Sequence, residues 1–448
     1  MSKESISPEL IKSFQADFDR DPSNALAARV IFDQGIDAVA EDPAVVKRHT
    51  FVFEQETSQG KPTAQKSSGR CWYFAALNSL RQIVMDKLNV ENFEFSQTHL
   101  YFFDKMEKAN TYLENMIRLA DRELDDRELE WMLPLGVYDG GYWEFFVPLC
   151  LKYGLLPKSE GPESFHSGDS YMFTKQMQER LYRSAMAMRR AKQAGKSDDD
   201  LRQIKNQTLS EIYNICVKAL GQPVERFSFS YRDKDKNYQR LAEMTPLEFF
   251  EQYIGREELE KRIILVSDPR EKYPYGRVIR KDIVRSVYEA PAAGGLNVPM
   301  DVISQAILAS LKDGVPVWFA CDAGKYIDRK KGIFDDQLFA YDQVLTPVTD
   351  FPKADRFACG YSRATHAMNI TGVEFDASGQ VAYWKVENSW GEEQGDKGTF
   401  SMSHSWFLEY SYEAIVDRKY VAEEYLKGLD EEPILIKPWD LFCSSMLF

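Results

Sequence analysis

Residues 65–72, with the sequence QKSSGRCW, are the part of this chain best suited to nucleophilic chemistry. Cys71 lies two residues after Gly69 and opens a stretch to Leu88 whose apolar residues have helical spacing, so we predict that it lies in the first turn of a helix. Unpaired backbone N–H groups there stabilise an anion, so we expect the thiol to ionise more easily than a free cysteine. The NH₂ group of Gln65 and the Cys71 backbone N–H are suited to stabilise the oxyanion that forms when a carbonyl is attacked.

Two residues far along the chain are suited to act as the general base for a thiol nucleophile and as the group that orients this base. His366 opens an apolar run through Val373, and an alternating segment from Val381 ends at Asn388, so both segments are predicted strands. An imidazole accepts the thiol proton and later gives it to the leaving amine, while Asn388 fixes the ring through its carbonyl oxygen. Trp390 is predicted to shield the contact between Asn388 and His366 from water.

Other catalytic schemes lack their sequence signals. The chain contains neither a Gly-x-Ser-x-Gly elbow nor a His-Glu-x-x-His metal motif. Its six cysteines are scattered without a Cys-x-x-Cys pair, which argues against a zinc site and a disulfide framework. We therefore expect no metal and no cofactor.

The chain resembles the papain-like cysteine peptidases, on Gln65, Gly69 to Trp72, His366 and residues 388–391 (NSWG) in that order. It is most similar to their bleomycin hydrolase and bacterial aminopeptidase C branch, and the resemblance covers nearly the whole chain. It implies an α+β papain-like fold, with a helical left half, an antiparallel β right half and large helical insertions. The narrower resemblance rests on five further segments, 139–141, 231–235, 296–301, 313–319 and 365–368.

The same resemblance implies where a peptide binds. Gly140 and Gly141 are expected to line the cleft, and the chain's own C-terminal carboxylate, on Phe448, to pair with the substrate α-ammonium. That arrangement makes an aminopeptidase. Residues 441–448 depart from the family's usual tail, so an endopeptidase with a cleft open at both ends is the alternative.

Spacing and resemblance together predict the organisation of the chain. His366 follows Cys71 by 295 residues, against roughly 130–150 in papain-type enzymes, so a large insertion is expected. We predict an N-terminal helical arm over 1–50, a catalytic core over 51–430 and a tail over 431–448 directed to the cleft. Helical insertions near 97–135 and 165–290 are expected to cover the core and make subunit contacts. The resemblance implies a ring-like homohexamer.

The composition of the chain limits the partners and the cellular compartment that we expect for it. A chain of 448 residues with 44% hydrophobic content can bury a sizeable core, while a net charge of −14 opposes binding to nucleic acid or an anionic membrane. The N-terminus lacks a secretion signal, and Ser68 replaces the first cysteine of the secreted papain-type motif, so we expect a cytoplasmic enzyme. A catalytically idle binding shell, or a nucleic-acid-associated one, is the alternative of another class. The intact catalytic set and the negative charge oppose it.

Overall fold

A computed structural model describes residues 4–440 and 442 of the chain. Among these residues the α-helices are α1 (Pro8–Asp19), α2 (Pro22–Gln34), α3 (Ile36–Ala40), α4 (Pro43–Arg48), α5 (Cys71–Leu88), α6 (Gln97–Arg118), α7 (Arg127–Met132), α8 (Trp143–Tyr153), α9 (Phe165–Gly168), α10 (Tyr171–Gln193), α11 (Asp198–Leu220), α12 (Pro246–Tyr253), α13 (Arg256–Glu260), α14 (Met300–Lys312), α15 (Tyr341–Val344), α16 (Lys353–Ala358), α17 (His404–Tyr410) and α18 (Glu423–Leu426). The strands are β1 (Gln55–Glu56), β2 (Ser230–Arg232), β3 (Tyr238–Arg240), β4 (Arg262–Val266), β5 (Arg277–Lys281), β6 (Gly294–Asn297), β7 (Val317–Cys321), β8 (Ile327–Asp328), β9 (Ile333–Phe334), β10 (His366–Phe375), β11 (Val381–Glu387), β12 (Thr399–Ser403), β13 (Ser411–Asp417) and β14 (Ile434–Ile436).

The chain opens with helices α1 to α4, within the range predicted for the arm. Ser7 is the N-cap of α1, and its hydroxyl accepts a hydrogen bond from the Leu10 N–H at 3.1 Å. Neither α1 nor α2 buries a single residue. Their apolar side chains are therefore left facing outward.

Helix α5 starts at Cys71 and ends at Leu88, as the apolar spacing predicted. Asn89 stops it in the left-handed conformation, at φ 51°. Most of the helix is buried, because it packs against strands β7 and β10 on one side and helices α6 and α8 on the other. This position between helices and sheet fixes the direction in which the first turn points.

One mixed sheet carries the other half of the fold, which gives the expected α+β class. Strand β10 lies between β7 and β11 and is antiparallel to both, with His366 opposite Cys321. Both predicted strands near the site are thus present. The expectation of an antiparallel half is right at the site but incomplete, because the sheet also contains parallel pairs, β4 with β6, β5 with β14 and β9 with β12.

The helical insertions are only partly as predicted. Helices α6 and α7 fall within 97–135. Within 165–290, α10 and α11 are long helices, and Ser197 is the N-cap of α11. The prediction that 165–290 is helical holds only in part. Between α11 and α12, β2 and β3 form a separate hairpin, and beyond Glu260 β4 and β5 belong to the main sheet. No helix in the described ranges has the length and apolarity to cross a membrane.

Candidate active site

A cleft of about 550 Å³ lies where the start of α5 meets the start of β10. Of the predicted site residues, it brings together Gln65, Cys71, Gly140 and His366. Its other lining residues come from the turn before α5, the loop before α8, the start of α10 with the residue before it, and the residue before β10: Ser67, Ser68, Gly69, Pro134, Leu135, Tyr138, Asp139, Ser170, Tyr171, Thr174, Lys175, Gln178 and Thr365.

Cys71 is the first residue of α5 and is 6% exposed. The backbone N–H of Ala367, the neighbour of His366, lies close enough to the sulfur to lower the pKa of Cys71, so the thiol and the imidazole lie at the same end of the cleft. The expectation that this thiol ionises easily is wrong for the free chain. Burial raises the pKa of Cys71 to about 11, which outweighs the lowering by the nearby N–H groups.

His366 and Asn388 form the predicted contact. His366 Nε2 lies 2.9 Å from Asn388 Oδ1, and the Ser389 N–H donates to the same oxygen at 2.8 Å. Because that oxygen only accepts, Nε2 carries the ring proton and Nδ1 is left as the acceptor for a thiol proton. Burial lowers the pKa of His366 to about 4, although the Asn388 hydrogen bond acts in the opposite direction.

Trp390 covers the imidazole, and an arginine covers Trp390. The Trp390 and His366 rings are stacked with centroids 4.7 Å apart. On Trp390, the Arg329 guanidinium lies 4.6 Å from a ring centroid, and its charge also lowers the pKa of His366. Nothing in the sequence near Arg329 indicated this contact, because 37 residues separate it from His366.

Gln65 is held in one orientation. Its Oε1 accepts a hydrogen bond from the Ser389 hydroxyl at 2.7 Å, and its Nε2 donates to the Ser68 carbonyl at 2.6 Å. The amide nitrogen has two protons, so one remains for an oxyanion beside Cys71. Ser389 thus acts on the oxyanion site, a role that its place in the 388–391 motif did not reveal.

The two predicted cleft glycines differ. Gly140 lines the cleft, whereas Gly141 packs on Trp72, where a Cβ would lie 2.5 Å from the indole ring. Close packing, not substrate access, therefore explains the glycine at 141. Phe448, the predicted carboxylate donor, lies outside the described residues.

Helix α10 contributes a wall that the sequence interpretation missed. Tyr171, Thr174, Lys175 and Gln178 all line the cleft, on one face at helical spacing. The insertion had been expected only to cover the core and make subunit contacts. The spacing of these four residues shows that they share one face of α10, but the sequence does not indicate which part of the protein that face contacts.

Comparisons with known proteins find relatives that match nearly the whole chain. A model described as the Peptidase C1-like family matches residues 5–443. Aminopeptidase C of Listeria monocytogenes is 37% identical over 439 residues, which cover 98% of each chain. Human bleomycin hydrolase is 36% identical, again over 98% of each. The crystal structure of PepW from Lactobacillus rhamnosis has a TM-score of 0.96 at 33% identity, and the match covers 98% of this chain and 99% of that one.

Proposed function

The chain belongs to the Peptidase C1-like family and is a cysteine peptidase, and we propose that it is an aminopeptidase that forms an acyl-enzyme on Cys71. The observation that carries the proposal is the junction of α5 and β10. There the Cys71 sulfur contacts the Ala367 N–H, and the adjacent His366 is fixed by Asn388 at 2.9 Å. This arrangement supports acyl transfer through a thiol.

The reaction follows from these positions. Sulfur attacks the carbonyl carbon of the first residue as His366 Nδ1 takes the thiol proton, which makes a C–S bond and an oxyanion beside Gln65 and the Cys71 N–H. The C–N bond then breaks, and the imidazole gives its proton to the leaving amine. Water, deprotonated by the same imidazole, releases the amino acid and restores the thiol. Asn388 orients the ring throughout, and Trp390 excludes water from its far side.

Restriction to the N-terminal residue requires a block on the acyl side of the cleft, and we assign it to the tail. Asp440 pairs with Arg270 at 2.7 Å, and the Phe442 ring packs on Phe357 with centroids 5.6 Å apart. The Lys281 ammonium lies over the rings of both Phe442 and Tyr142, and Tyr142 directly follows the Gly140 wall. Six further residues span up to about 20 Å, and we propose that they present the terminal carboxylate in the cleft.

Paired substrates test this assignment. We expect the intact chain to cleave a leucyl amide reporter with a free α-amine and to leave its N-acetylated form uncut. Deleting Met446 to Phe448 removes the proposed partner of the α-ammonium. It should raise cleavage of the acetylated reporter at least about tenfold, the scale of one charged hydrogen bond. Ready cleavage of the acetylated reporter by the intact chain would instead establish the endopeptidase alternative.

We also propose a cytoplasmic homohexamer acting on peptides. The apolar side chains of α1 and α2 favour self-association, since many of them stay exposed among the described residues. The cysteines among the described residues are all free thiols, which suits a reducing compartment. The net charge of −14 argues against a nucleic-acid partner.

A further inference from the structure

Asp139 accepts hydrogen bonds from residues on both sides of Cys71 in the sequence. Its carboxylate Oδ2 accepts a hydrogen bond from the Gly69 N–H at 3.1 Å, two residues before Cys71. Its backbone carbonyl accepts from the Trp72 indole N–H at 2.9 Å, one residue after Cys71. A Cβ on Gly69 would lie 2.8 Å from the Asp139 Cβ, so glycine is needed for this close approach.

The other carboxylate oxygen connects Asp139 to the inserted helices. Oδ1 accepts from Lys105 Nζ at 2.6 Å and from the Tyr101 hydroxyl at 2.7 Å, both on α6. From α10, Ser170 bonds to Oδ2 and Thr174 lies 3.4 Å from Oδ1. These donors hold the pKa of Asp139 well below its usual range although burial acts in the opposite direction, so the carboxylate is charged.

Two buried lysines fix the loop that carries Asp139. Lys105 Nζ also donates to the carbonyls of Val137 at 2.9 Å and Tyr138 at 3.0 Å. Lys108 Nζ donates to the Gly140 carbonyl at 2.7 Å and pairs with Asp104 at 2.8 Å. Both lysine side chains are essentially inaccessible to solvent, so their charges are committed to these contacts. The cleft wall and the nucleophile turn are thereby joined to the same helix.

We propose that Asp139, paired with Lys105, is a positioning residue that sets the Cys71 turn against the Gly140 wall. No disulfide joins these segments, because Cys71 and the other described cysteines are free thiols. The inserted helix α6 is then part of the catalytic apparatus. The inference rests on the proposed role of Cys71 as nucleophile.

Two substitutions at Asp139 separate the effect of its hydrogen bond with the Gly69 N–H from the effect of its negative charge. Asp139→Ala removes the acceptor for the Gly69 N–H, and we expect kcat to fall about 100-fold, the scale of a small misplacement of a reacting group. KM should stay within about threefold. Asp139→Asn keeps an acceptor oxygen and should retain at least about a tenth of the wild-type kcat. Both variants remove the negative charge near Cys71 that raises its thiol pKa, so both should shift the pH profile of Cys71 alkylation to lower pH.

The control is Lys205→Met, which removes an ion pair of 2.6 Å to Glu114 on α6 without touching the cleft, and its kcat should be unchanged. Wild-type kcat in folded Asp139→Ala, or an equally large loss in Asp139→Asn, would overturn the proposal. If thermal melting shows that Asp139→Ala does not fold, Lys105→Met takes its place. A lowered kcat at unchanged KM is then expected, and wild-type kcat would overturn the proposal. An active Cys71→Ala would refute the proposed function itself, whatever the Asp139 variants do.

Discussion

At the scale of single residues, burial decides the charge state of the catalytic pair. Desolvation raises the pKa of Cys71 to about 11 and lowers that of His366 to about 4, so near neutral pH the free chain holds a thiol and a neutral imidazole. The Nδ1 atom of His366 is then a free acceptor, because Nε2 donates to Asn388. In the mechanism that we propose, proton transfer from sulfur to nitrogen therefore accompanies attack on the substrate.

The arginine that lies over Trp390 affects this equilibrium. The positive charge of Arg329 disfavours the imidazolium form and lowers the pKa of His366. Arg329→Gln should raise that pKa, so the acidic limb of the pH profile of kcat/KM should move to higher pH. The maximal rate should change by less than about fivefold, because an exposed cation–π contact is worth roughly 0.5–1 kcal/mol.

Arg329→Lys is the matched control for this prediction. It keeps a positive charge, so its acidic limb should stay near the wild-type position. If the acidic limb of Arg329→Gln is unchanged or moves to lower pH, the charge of Arg329 does not lower the pKa of His366.

The residue types of the site were predictable from the sequence, whereas their electrostatics were not. Cys71, His366, Asn388 and Gln65 stand out because each has a local signal, a glycine turn, a strand start or a motif. A pKa depends on how deeply the folded chain buries a group, and helical position alone predicted the wrong direction for Cys71. Ser389 and Arg329 gained roles only through contacts between distant segments.

At the scale of elements, the nucleophile helix and the imidazole strands are tied together below the cleft. Arg81 of α5 forms a buried ion pair with Glu387, the residue before Asn388, and donates to the Lys61 carbonyl at 2.8 Å. Asn369 of β10 donates to the Ala75 carbonyl of α5 at 2.9 Å. These contacts hold α5, β10 and β11 in one arrangement, so the helix cannot shift without moving the residue that orients His366.

The helix and strands that position Cys71, His366 and Asn388 could be predicted from hydrophobic periodicity in the sequence, but the walls of the cleft could not. Apolar spacing predicted α5, β10 and β11 because each buries a face. The cleft face of α10 is polar and partly exposed, so its pattern matches that of any solvent-facing helix. The same limit applies to Lys105 and Lys108, whose charges suggest a surface position although both are buried.

At the scale of the whole molecule, the N-terminal helices carry an apolar stripe that the other described residues leave exposed. Leu10, Phe14 and Phe18 lie on one face of α1 and are 41%, 54% and 44% exposed, while Phe32 on α2 is 95% exposed. A patch of this kind on a folded chain is typical of an interface between subunits. The proposed homohexamer needs such a surface.

Light scattering tests this assignment. We expect the wild-type particle to have six times the 51.7 kDa mass of one chain, and Phe14→Glu with Phe18→Glu to give smaller species, because charges are costly in an apolar interface. Lys12→Glu, which places a similar charge on α1 off the stripe, is the control and should assemble normally. A monomeric wild type, or a double variant of unchanged mass, would contradict the role given to the arm.

The central claim is that Cys71 forms the covalent acyl intermediate, and mass spectrometry of the enzyme quenched during turnover of a slow aminoacyl ester measures this directly. We expect a mass increase equal to one aminoacyl group, located by fragmentation on Cys71, in the wild-type chain and none in Cys71→Ala. In His366→Ala the adduct should form far more slowly, because no base takes the thiol proton. Turnover of the ester with the acyl group on another residue, or undiminished turnover by Cys71→Ala, would contradict the account.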